Sequence, residues 1–311
     1  MSSPVTTLEA DAARVEALWT LLQHDIHHLP VVRDGAVIGV VTHADLVRHH
    51  RSSPGALHKK IVRAPRAADL VSYADDVADM VRTLHRNRLP STEIGRLVAA
   101  LGDTLVERLL SDAETDLGPP PCAYAWIAFG SEGRREQSLL TDQDNALVYE
   151  RASPEAERYF KELGERVVGD LARVGVPLCE GGYMASRWCK PLEDWCRIFR
   201  GWIESPEPEA LLEASIFFDF RRLHGKLDLE PLEDVVRGAA DRRLFLAHMA
   251  RVALSMGPPL GFWNRVREGS EGVDLKASVL MPVAGLARLL ALESGDRPGS
   301  TVARLRAAAR A

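Results

Sequence analysis

The sequence predicts a mixed α/β protein of several domains, with two strand-rich segments that are separated and followed by helices. Three observations support this fold class. Two apolar strands flank an Asp34-Gly35 turn near the N-terminus, which is the pattern of a tight hairpin. Helical periodicity then continues from about 61 to 116. Finally, the Gly-Pro-Pro-Pro stretch at 118–121 ends these helices, and strand-like residues follow it directly.

Residues 1–52 have the pattern of a compact βαββα unit. Apolar residues at helical spacing precede the strands HLPVV and AVIGVVT, and a short helix is expected from about Ala44. The segment 51–55 breaks the pattern and is interpreted as a linker. Residues 58–117 are predicted to form a helical connector, folded as a hairpin or a small bundle.

The remaining chain divides into a core at 118–228 and a C-terminal helical domain at 229–311. In the core, strands are predicted at 124–129 and 144–149, a turn and helix at 130–138, a helix at 154–173, and a further strand at 215–223. In the C-terminal domain, helices are predicted near 231–256 and 276–293.

Composition excludes several classes of protein. The 311 residues are 46% hydrophobic, which is enough to fill real cores. No apolar run approaches the roughly 20 residues of a membrane helix, and the N-terminus lacks the layout of a signal peptide. A cytoplasmic protein without membrane contact is therefore expected. The net charge of −5 does not favour nucleic acid as a partner. The four cysteines are interpreted as reduced structural thiols, and a zinc site is the alternative.

The segment 125–150 contains the residues that carry chemistry. An apolar strand leads into Gly130-Ser131, where backbone N–H groups and one hydroxyl can meet a phosphate closely. Asp142 and Asp144 follow at the head of the next strand, on one face of it. Two crowded carboxylates are costly without a cation, and their oxygens suit Mg²⁺ or Mn²⁺. The alternative is a structural turn followed by a strand cap.

This arrangement resembles the polymerase β-type superfamily of nucleotidyltransferases. More closely, FGSEGRREQSLLTDQDNALVY is similar to the nucleotidyltransferase domain related to the N-terminal part of PII-protein uridylyltransferases, and the resemblance covers about 60–311. It implies a polymerase β-type core in which Gly130 and Ser131 hold the nucleotide phosphates while Asp142 and Asp144 bind the metal. It also implies an NTP substrate, UTP or ATP, and makes a protein acceptor plausible.

A third carboxylate completes such sites in the related domains, and Asp219 is our candidate. It lies between aromatic and apolar residues, where an unpaired charge would be costly. The surrounding segment resembles the related one, although Arg222, Leu223 and Lys226 depart from it. A salt bridge from Asp219 to Arg221 or Arg222 is the alternative.

Four basic residues are candidates for contacts with the substrate. Arg134 and Arg135 follow the Gly-Ser turn within reach of a triphosphate, which the planar guanidinium group fits well. Pairing with neighbouring glutamates on the helix surface is the alternative. Lys276 and Arg288 lie in a segment that resembles the C-terminal, substrate-binding region of the related proteins. Both are expected to face the cleft unless they are solvated helix charges.

The N-terminal unit gives a second resemblance. IHHLPVVRDGAVIGVVTHADLVRHH resembles one CBS repeat, and Thr42 and Asp45 occupy its signature positions. This implies a regulatory site where both residues contact an adenine nucleotide, and helix N-capping is the alternative. Because such repeats work in pairs, we expect either a homodimer or further sequence upstream of Met1.

These features together predict a metal-dependent nucleotidyltransferase that modifies a regulatory protein and responds to adenine nucleotides. Two alternatives remain open. One is a non-enzymatic protein that senses nucleotides in signal transduction, and the other is a transferase that modifies small molecules. The chain shows no HD-type phosphohydrolase segment, so removal of the transferred group by the same polypeptide is not expected.

Overall fold

The N-terminal unit contains a three-stranded sheet. The computed structural model describes residues 5–24, 26–42, 53–137, 141–255, 274–295 and 299–310. The sheet has the order β1 (Leu8–Glu9), β2 (His28–Arg33) and β3 (Ala36–Thr42), and helix α1 (Arg14–Gln23) connects the first two strands. Asp34 and Gly35 both have positive φ, at 52° and 76°, and this confirms the predicted hairpin. The helix expected from Ala44, and Asp45 with it, lie outside the described residues.

Three helices follow: α2 (Pro54–Arg63), α3 (Tyr73–Arg86) and α4 (Ser91–Leu117). The last two lie where the periodicity predicts helices, whereas α2 begins within the segment 51–55 that was interpreted as a linker. The Ser53 hydroxyl caps α2 by accepting a hydrogen bond from the backbone N–H of Ala56 at 3.2 Å. Gly118, at φ 88°, ends α4 just before the prolines. The long helix α4 has 27 residues, and its buried face includes Val98, Leu105 and Leu109.

A four-stranded mixed sheet forms the centre of the molecule. Its order is β6 (Cys189–Pro191), β5 (Asn145–Tyr149), β4 (Tyr124–Ala128) and β7 (Arg221–Gly225). Strands β5 and β7 both run antiparallel to β4, so the residues that precede them lie at the carboxyl end of β4. The Gly-Ser turn leaves β4 at this same end.

The two faces of the sheet are covered by different helices, and every residue of β4 and β5 is buried. On one face, Trp126 and Leu147 pack with the connector helices and with α6 (Pro154–Arg173). On the other face, Ile127 and Val148 pack with α7 (Leu192–Glu204) and the helices that follow it. The connector helices are therefore one layer of the core domain, because they share its hydrophobic interior.

Two secondary-structure predictions differ from the structure. The segment predicted as a strand at 215–223 is helical up to Phe217, in α8 (Pro208–Phe217), and β7 begins only at Arg221. Pro208 favours a helix start, and Leu211, Ala214 and Phe217 bury one helical face. The helix predicted over 130–138 is the single turn α5 (Gly130–Gly133), since Arg135 takes a left-handed backbone with φ 57°.

The C-terminal region is helical, as predicted. It contains α9 (Glu230–Arg237), α10 (Arg243–Ser255), a π-helical turn (Lys276–Leu280), α11 (Met281–Ser294) and α12 (Thr301–Ala308). The turn and α11 form one continuous helical stretch, Lys276–Ser294, that is long and apolar enough to cross a membrane. A single such stretch is weak evidence for a membrane span, and the sequence analysis expected no membrane helix.

Candidate functional site

The two predicted metal-binding carboxylates lie at the carboxyl end of β4. Asp142 and Asp144 are partly exposed, whereas Gln143 between them is buried, so the pair shares the outer side of the chain. The backbone carbonyl of Asp144 accepts a hydrogen bond from Phe129 at 2.9 Å. A methyl group added to Gly130 would lie 3.5 Å from Asp144 Oδ2. The structure thus brings the Gly130-Ser131 turn and the carboxylate pair together, as the sequence predicts.

The segment that holds the pair also fixes the loop opposite it. The Gln143 N–H donates to Pro177 O at 2.9 Å, and the Gln143 amide group donates to Val168 O and Val176 O at 3.2 Å. Asn145 also forms hydrogen bonds to this loop. Its N–H donates to Tyr183 O at 3.0 Å, and its side-chain oxygen accepts from Ala185 N at 2.8 Å. Both ends of the loop 177–185 are therefore tied to the carboxylate strand.

Cys179 in this loop joins the carboxylates. The ligand atoms of Asp142, Asp144 and Cys179 all lie within 4.8 Å of one another, and the thiol is buried. The sequence analysis missed Cys179 because the residue follows the pair by 35 positions and belongs to no spacing motif. Two carboxylate oxygens and a sulfur form a donor set that fits a divalent cation.

The electrostatics of the pair favour the same conclusion. Burial, followed by the charge of Asp142, raises the pKa of Asp144 from 3.8 to about 6. A hydrogen bond from the Cys179 thiol and the charge of Lys276 act in the opposite direction. A cation bound between the two carboxylates would relieve their repulsion, because it favours the ionised form of both.

Lys276, in the C-terminal region, acts electrostatically on this site. Its charge acts on Asp144 although 132 positions separate the two residues in sequence. It is exposed and begins the π-helical turn that leads into α11. Single π-helical turns of this kind frequently occur at functional sites. The prediction that Lys276 faces the cleft is consistent with this position.

Asp219 lies in a different environment from the pair. Its side chain has no exposed surface and accepts charged hydrogen bonds from Arg134 at 2.6 Å, Arg288 at 2.8 Å and Arg304 at 2.7 Å. Burial alone would raise the pKa of Asp219, but Arg288, Arg304 and Arg134 outweigh burial and hold that pKa well below its ordinary value. In the described structure, the Cys179 thiol lies beside Asp142 and Asp144. Asp219 instead pairs with three arginines.

The predicted basic residues divide into two groups. Arg134 and Arg288 have little exposed surface and pair with Asp219, and Arg134 also pairs with Glu136 at 2.8 Å. Both guanidinium groups are therefore committed within the protein. Arg135, by contrast, is exposed beside the Gly-Ser turn. Arg304, the third partner of Asp219, was missed because α12 was not predicted.

One further acid lies next to the turn and was not considered a candidate. Glu132 is partly buried, and burial, with the charges of Asp103 and Asp144, raises its pKa to about 8 against the opposing effect of Arg221. Arg221 itself is held by Asp103 through two hydrogen bonds of 2.9 Å. The alternative role for Asp219 was a salt bridge to Arg221 or Arg222. Asp219 does form salt bridges, but with Arg134, Arg288 and Arg304, whereas Arg221 pairs with Asp103.

The predicted regulatory site can be described only in part. Thr42 is the last residue of β3 and is partly buried. Asp45 falls outside the described residues, so the structure gives no distance between the two side chains.

Comparison with known families agrees with this architecture. Residues 75–209 match the family described as "Putative nucleotidyltransferase DUF294". Residues 243–311 match the "Putative nucleotidyltransferase substrate binding domain", and residues 1–52 match the CBS domain. No curated protein matches the chain. The three matches occur in the order that the sequence resemblances predict.

The raised pKa of Asp144 predicts a pH-dependent stability. Because the folded protein binds this proton more tightly than the unfolded chain, the metal-free protein loses stability as pH rises from about 4 to 6. We expect metal-free Asp144→Asn to be more stable than the parent protein at pH 7 by about 1–2 kcal/mol, allowing for screening by solvent. The gain should vanish near pH 4, as measured by urea unfolding. A variant less stable than the parent at pH 7 would indicate a strand-cap role for Asp144.

The arginine cluster predicts a second stability effect. Asp219→Asn removes the buried carboxylate that Arg134, Arg288 and Arg304 share, and we expect the free energy of unfolding in urea to fall by about 3–5 kcal/mol. Asp103→Asn, which breaks a more exposed pair, should cost less. Mn²⁺ affinity of the folded Asp219→Asn protein should stay near that of the parent. A loss of affinity as large as that of Asp144→Asn would instead identify Asp219 as a metal ligand.

Proposed function

We propose that this chain, which combines a DUF294 nucleotidyltransferase domain with its substrate-binding domain and a CBS domain, transfers a nucleoside monophosphate group from an NTP to an acceptor. The observation that carries the proposal is the crowded carboxylate pair, Asp142 and Asp144, beside the Gly130-Ser131 turn. The transferred group is an anion. It therefore needs both a site for a cation and a backbone that it can approach without a side chain in the way.

The proposed reaction forms one bond and breaks one. The acceptor nucleophile bonds to the α-phosphorus while the bond from that phosphorus to the bridging oxygen breaks. Pyrophosphate leaves with the electron pair of the broken bond, and the acceptor's proton passes to solvent. A divalent cation, Mg²⁺ or Mn²⁺, would neutralise the triphosphate and polarise the phosphorus under attack.

The residues of this chain have distinct roles in that reaction. Asp142 and Asp144 hold the cation, and Gly130 leaves space for the phosphates next to Asp144. Ser131 supplies a hydroxyl at the turn. Arg135 and Lys276, both exposed, supply positive charge on the open side of the pair. Arg134, Arg288 and Asp219 act differently, because they fix the turn and the C-terminal helices around the site.

The finer assignment is UTP or ATP as the donor and a regulatory protein as the acceptor. Two observations support it. The segment 129–149 is similar to the uridylyltransferase-related domain, and the substrate-binding match at 243–311 includes Lys276, whose charge acts on Asp144. A cytoplasmic location belongs to this proposal, because the donor is a nucleoside triphosphate.

The CBS domain is proposed to sense adenine nucleotides, because CBS domains bind these ligands and the match at 1–52 includes the Thr42 and Asp45 signature. Since CBS repeats work in pairs and one repeat is matched here, we propose that two chains pair as a homodimer.

A second candidate function is nucleotide binding without transfer. One observation favours it: Asp219, the candidate third carboxylate, is engaged by three arginines. Such a protein would use the Asp142/Asp144 pair to bind a metal–nucleotide complex and would transmit the bound state through α11.

The transferase proposal predicts that Asp142→Asn and Asp144→Asn each lower transfer activity by about 10² or more, because electrostatic stabilisation of the reacting phosphoryl group is lost. The fold should be retained. The assay uses α-labelled UTP or ATP with a divalent cation and a cell lysate, and follows label into protein or small molecules. Asp75→Asn, at an exposed position in α3, is the control. Equal labelling by all variants would reject the site. Nucleotide binding without any labelling would favour the sensor.

The regulatory proposal predicts a second nucleotide site that is independent of the carboxylate pair. AMP or ATP without a metal should raise the melting temperature of the Asp142→Asn/Asp144→Asn protein, by an amount equivalent to about 2.7 kcal/mol at a hundredfold excess over Kd. Asp45→Ala should abolish this shift and leave the unliganded melting temperature nearly unchanged. If Asp45→Ala instead destabilises the unliganded protein by about 1 kcal/mol and no adenine nucleotide shifts either form, the residue is a helix cap.

A further inference from the structure

We propose that Cys179 supplies the third protein ligand of the metal at Asp142 and Asp144, and that its sulfur makes the site prefer Mn²⁺ and softer divalent ions over Mg²⁺. This inference rests on the proposed function, because it concerns the same metal. It goes further by naming a ligand that the nucleotidyltransferase motif does not contain and by predicting which metals the site selects.

The Cys179 thiol lies close to both carboxylates. Its sulfur lies within 4.8 Å of a carboxylate oxygen of both aspartates, and only 8% of the residue is exposed. One ion can contact all three donors after small side-chain rotations, because metal–oxygen and metal–sulfur bonds are about 2.0–2.3 Å long. The arrangement therefore needs no backbone movement.

Backbone hydrogen bonds hold the Cys179 thiol at this position. Residue 143 binds the start of the loop through Pro177 O, and Asn145 binds its end through Tyr183 O and Ala185 N. The Cys179 carbonyl also accepts from the Gly182 N–H at 2.9 Å, which closes a turn within the loop. The segment that positions the carboxylates thus positions the sulfur as well. Ligands held in this way bind a metal without ordering a loop first.

Asp219, the other candidate for the third ligand, is already engaged. Asp219 would have to leave three arginines to reach a metal, which would break its charged hydrogen bonds to Arg134, Arg288 and Arg304 in a largely buried cluster. Among the described residues, Asp142, Asp144 and Cys179 form the group of metal-ligating side chains found at the site. Cys179 is therefore the third donor that requires the least rearrangement.

The chemistry of sulfur then determines metal preference. Mg²⁺ takes hard oxygen ligands in a strict octahedron and loses its water reluctantly. A thiolate is a soft ligand that suits Zn²⁺, Cd²⁺ and, among the ions that support phosphoryl transfer, Mn²⁺ better than Mg²⁺. When the metal binds, the thiol proton is released to solvent and a metal–sulfur bond forms. The expected order of affinity is Cd²⁺ or Zn²⁺, then Mn²⁺, then Mg²⁺.

The alternative role of Cys179 is to donate a hydrogen bond to Asp144 without contacting the metal. Serine distinguishes the two roles, since its hydroxyl preserves the donor and removes the sulfur. A hydrogen-bonding role predicts that Cys179→Ser changes the affinities for all metals little and equally. Ligation predicts a selective loss for the soft ions.

The experiment is a Cd²⁺ titration of the full chain, followed by the ultraviolet charge-transfer absorbance of the cadmium–thiolate bond, together with Kd values for Mn²⁺ and Mg²⁺. We expect one tightly bound Cd²⁺ with this absorbance in the parent protein. In Cys179→Ser the absorbance should disappear and Cd²⁺ affinity should fall by about 10–100-fold or more, while Mg²⁺ affinity changes little. Cys189→Ser, which removes a half-buried thiol in β6, is the matched control and should behave like the parent.

The outcomes separate this inference from the proposed function. If Asp142→Asn/Asp144→Asn abolishes metal binding while Cys179→Ser retains the absorbance and the Cd²⁺ affinity, the sulfur inference fails and the carboxylate site stands. If the double variant binds metal like the parent, the site itself is rejected. Cys179→Ala, checked by its melting temperature, replaces the serine variant if that variant does not fold, and the same loss of absorbance is expected.

Discussion

The arrangement of the site depends on one interaction, the pairing of the fully buried Asp219 carboxylate with three arginines. Its three arginine partners come from three places: Arg134 from the turn after β4, Arg288 from α11 and Arg304 from α12. The cluster therefore joins the turn after β4 to the C-terminal helices. A buried ion cluster contributes little net stability compared with apolar packing, but removing one member is strongly destabilising. Its effect is to hold α11 against the core, and the π-helical turn that begins at Lys276 leads directly into that helix.

The carboxylate pair has the opposite electrostatic character. Asp219 is paired with three arginines and remains ionised, whereas burial and the charge of Asp142 raise the pKa of Asp144 to about 6. Two acids at the same end of the sheet thus have different roles that are set by their neighbours. Asp219 organises the structure, whereas Asp142 and Asp144 form a crowded carboxylate pair whose repulsion a cation would relieve. The Cys179 thiol, held by the same strand, adds a sulfur atom to the two carboxylates of this site.

Local signals predicted much of the fold, while contacts between distant segments limited the prediction of the site. Helix α6 matches its predicted bounds because Ser153 caps it and Pro154 begins it. Strands β4 and β5 were recognisable as short, continuously apolar runs. The 215–217 segment was misassigned because an apolar aromatic run fits a buried helix as well as a strand. The partners of Asp219 and the approach of Cys179 depend on tertiary packing, which spacing along the chain does not encode.

The most direct test of this account is pulsed electron paramagnetic resonance of Mn²⁺ bound to the full chain with a non-hydrolysable NTP analogue. If Asp142 and Asp144 hold the metal that carries the nucleotide, the Mn²⁺ signal should show coupling to ³¹P of the triphosphate. The coupling should vanish in Asp142→Asn/Asp144→Asn and persist in the folded fraction of Asp219→Asn. Coupling that survives in the double variant, or that is lost only in Asp219→Asn, would contradict the account.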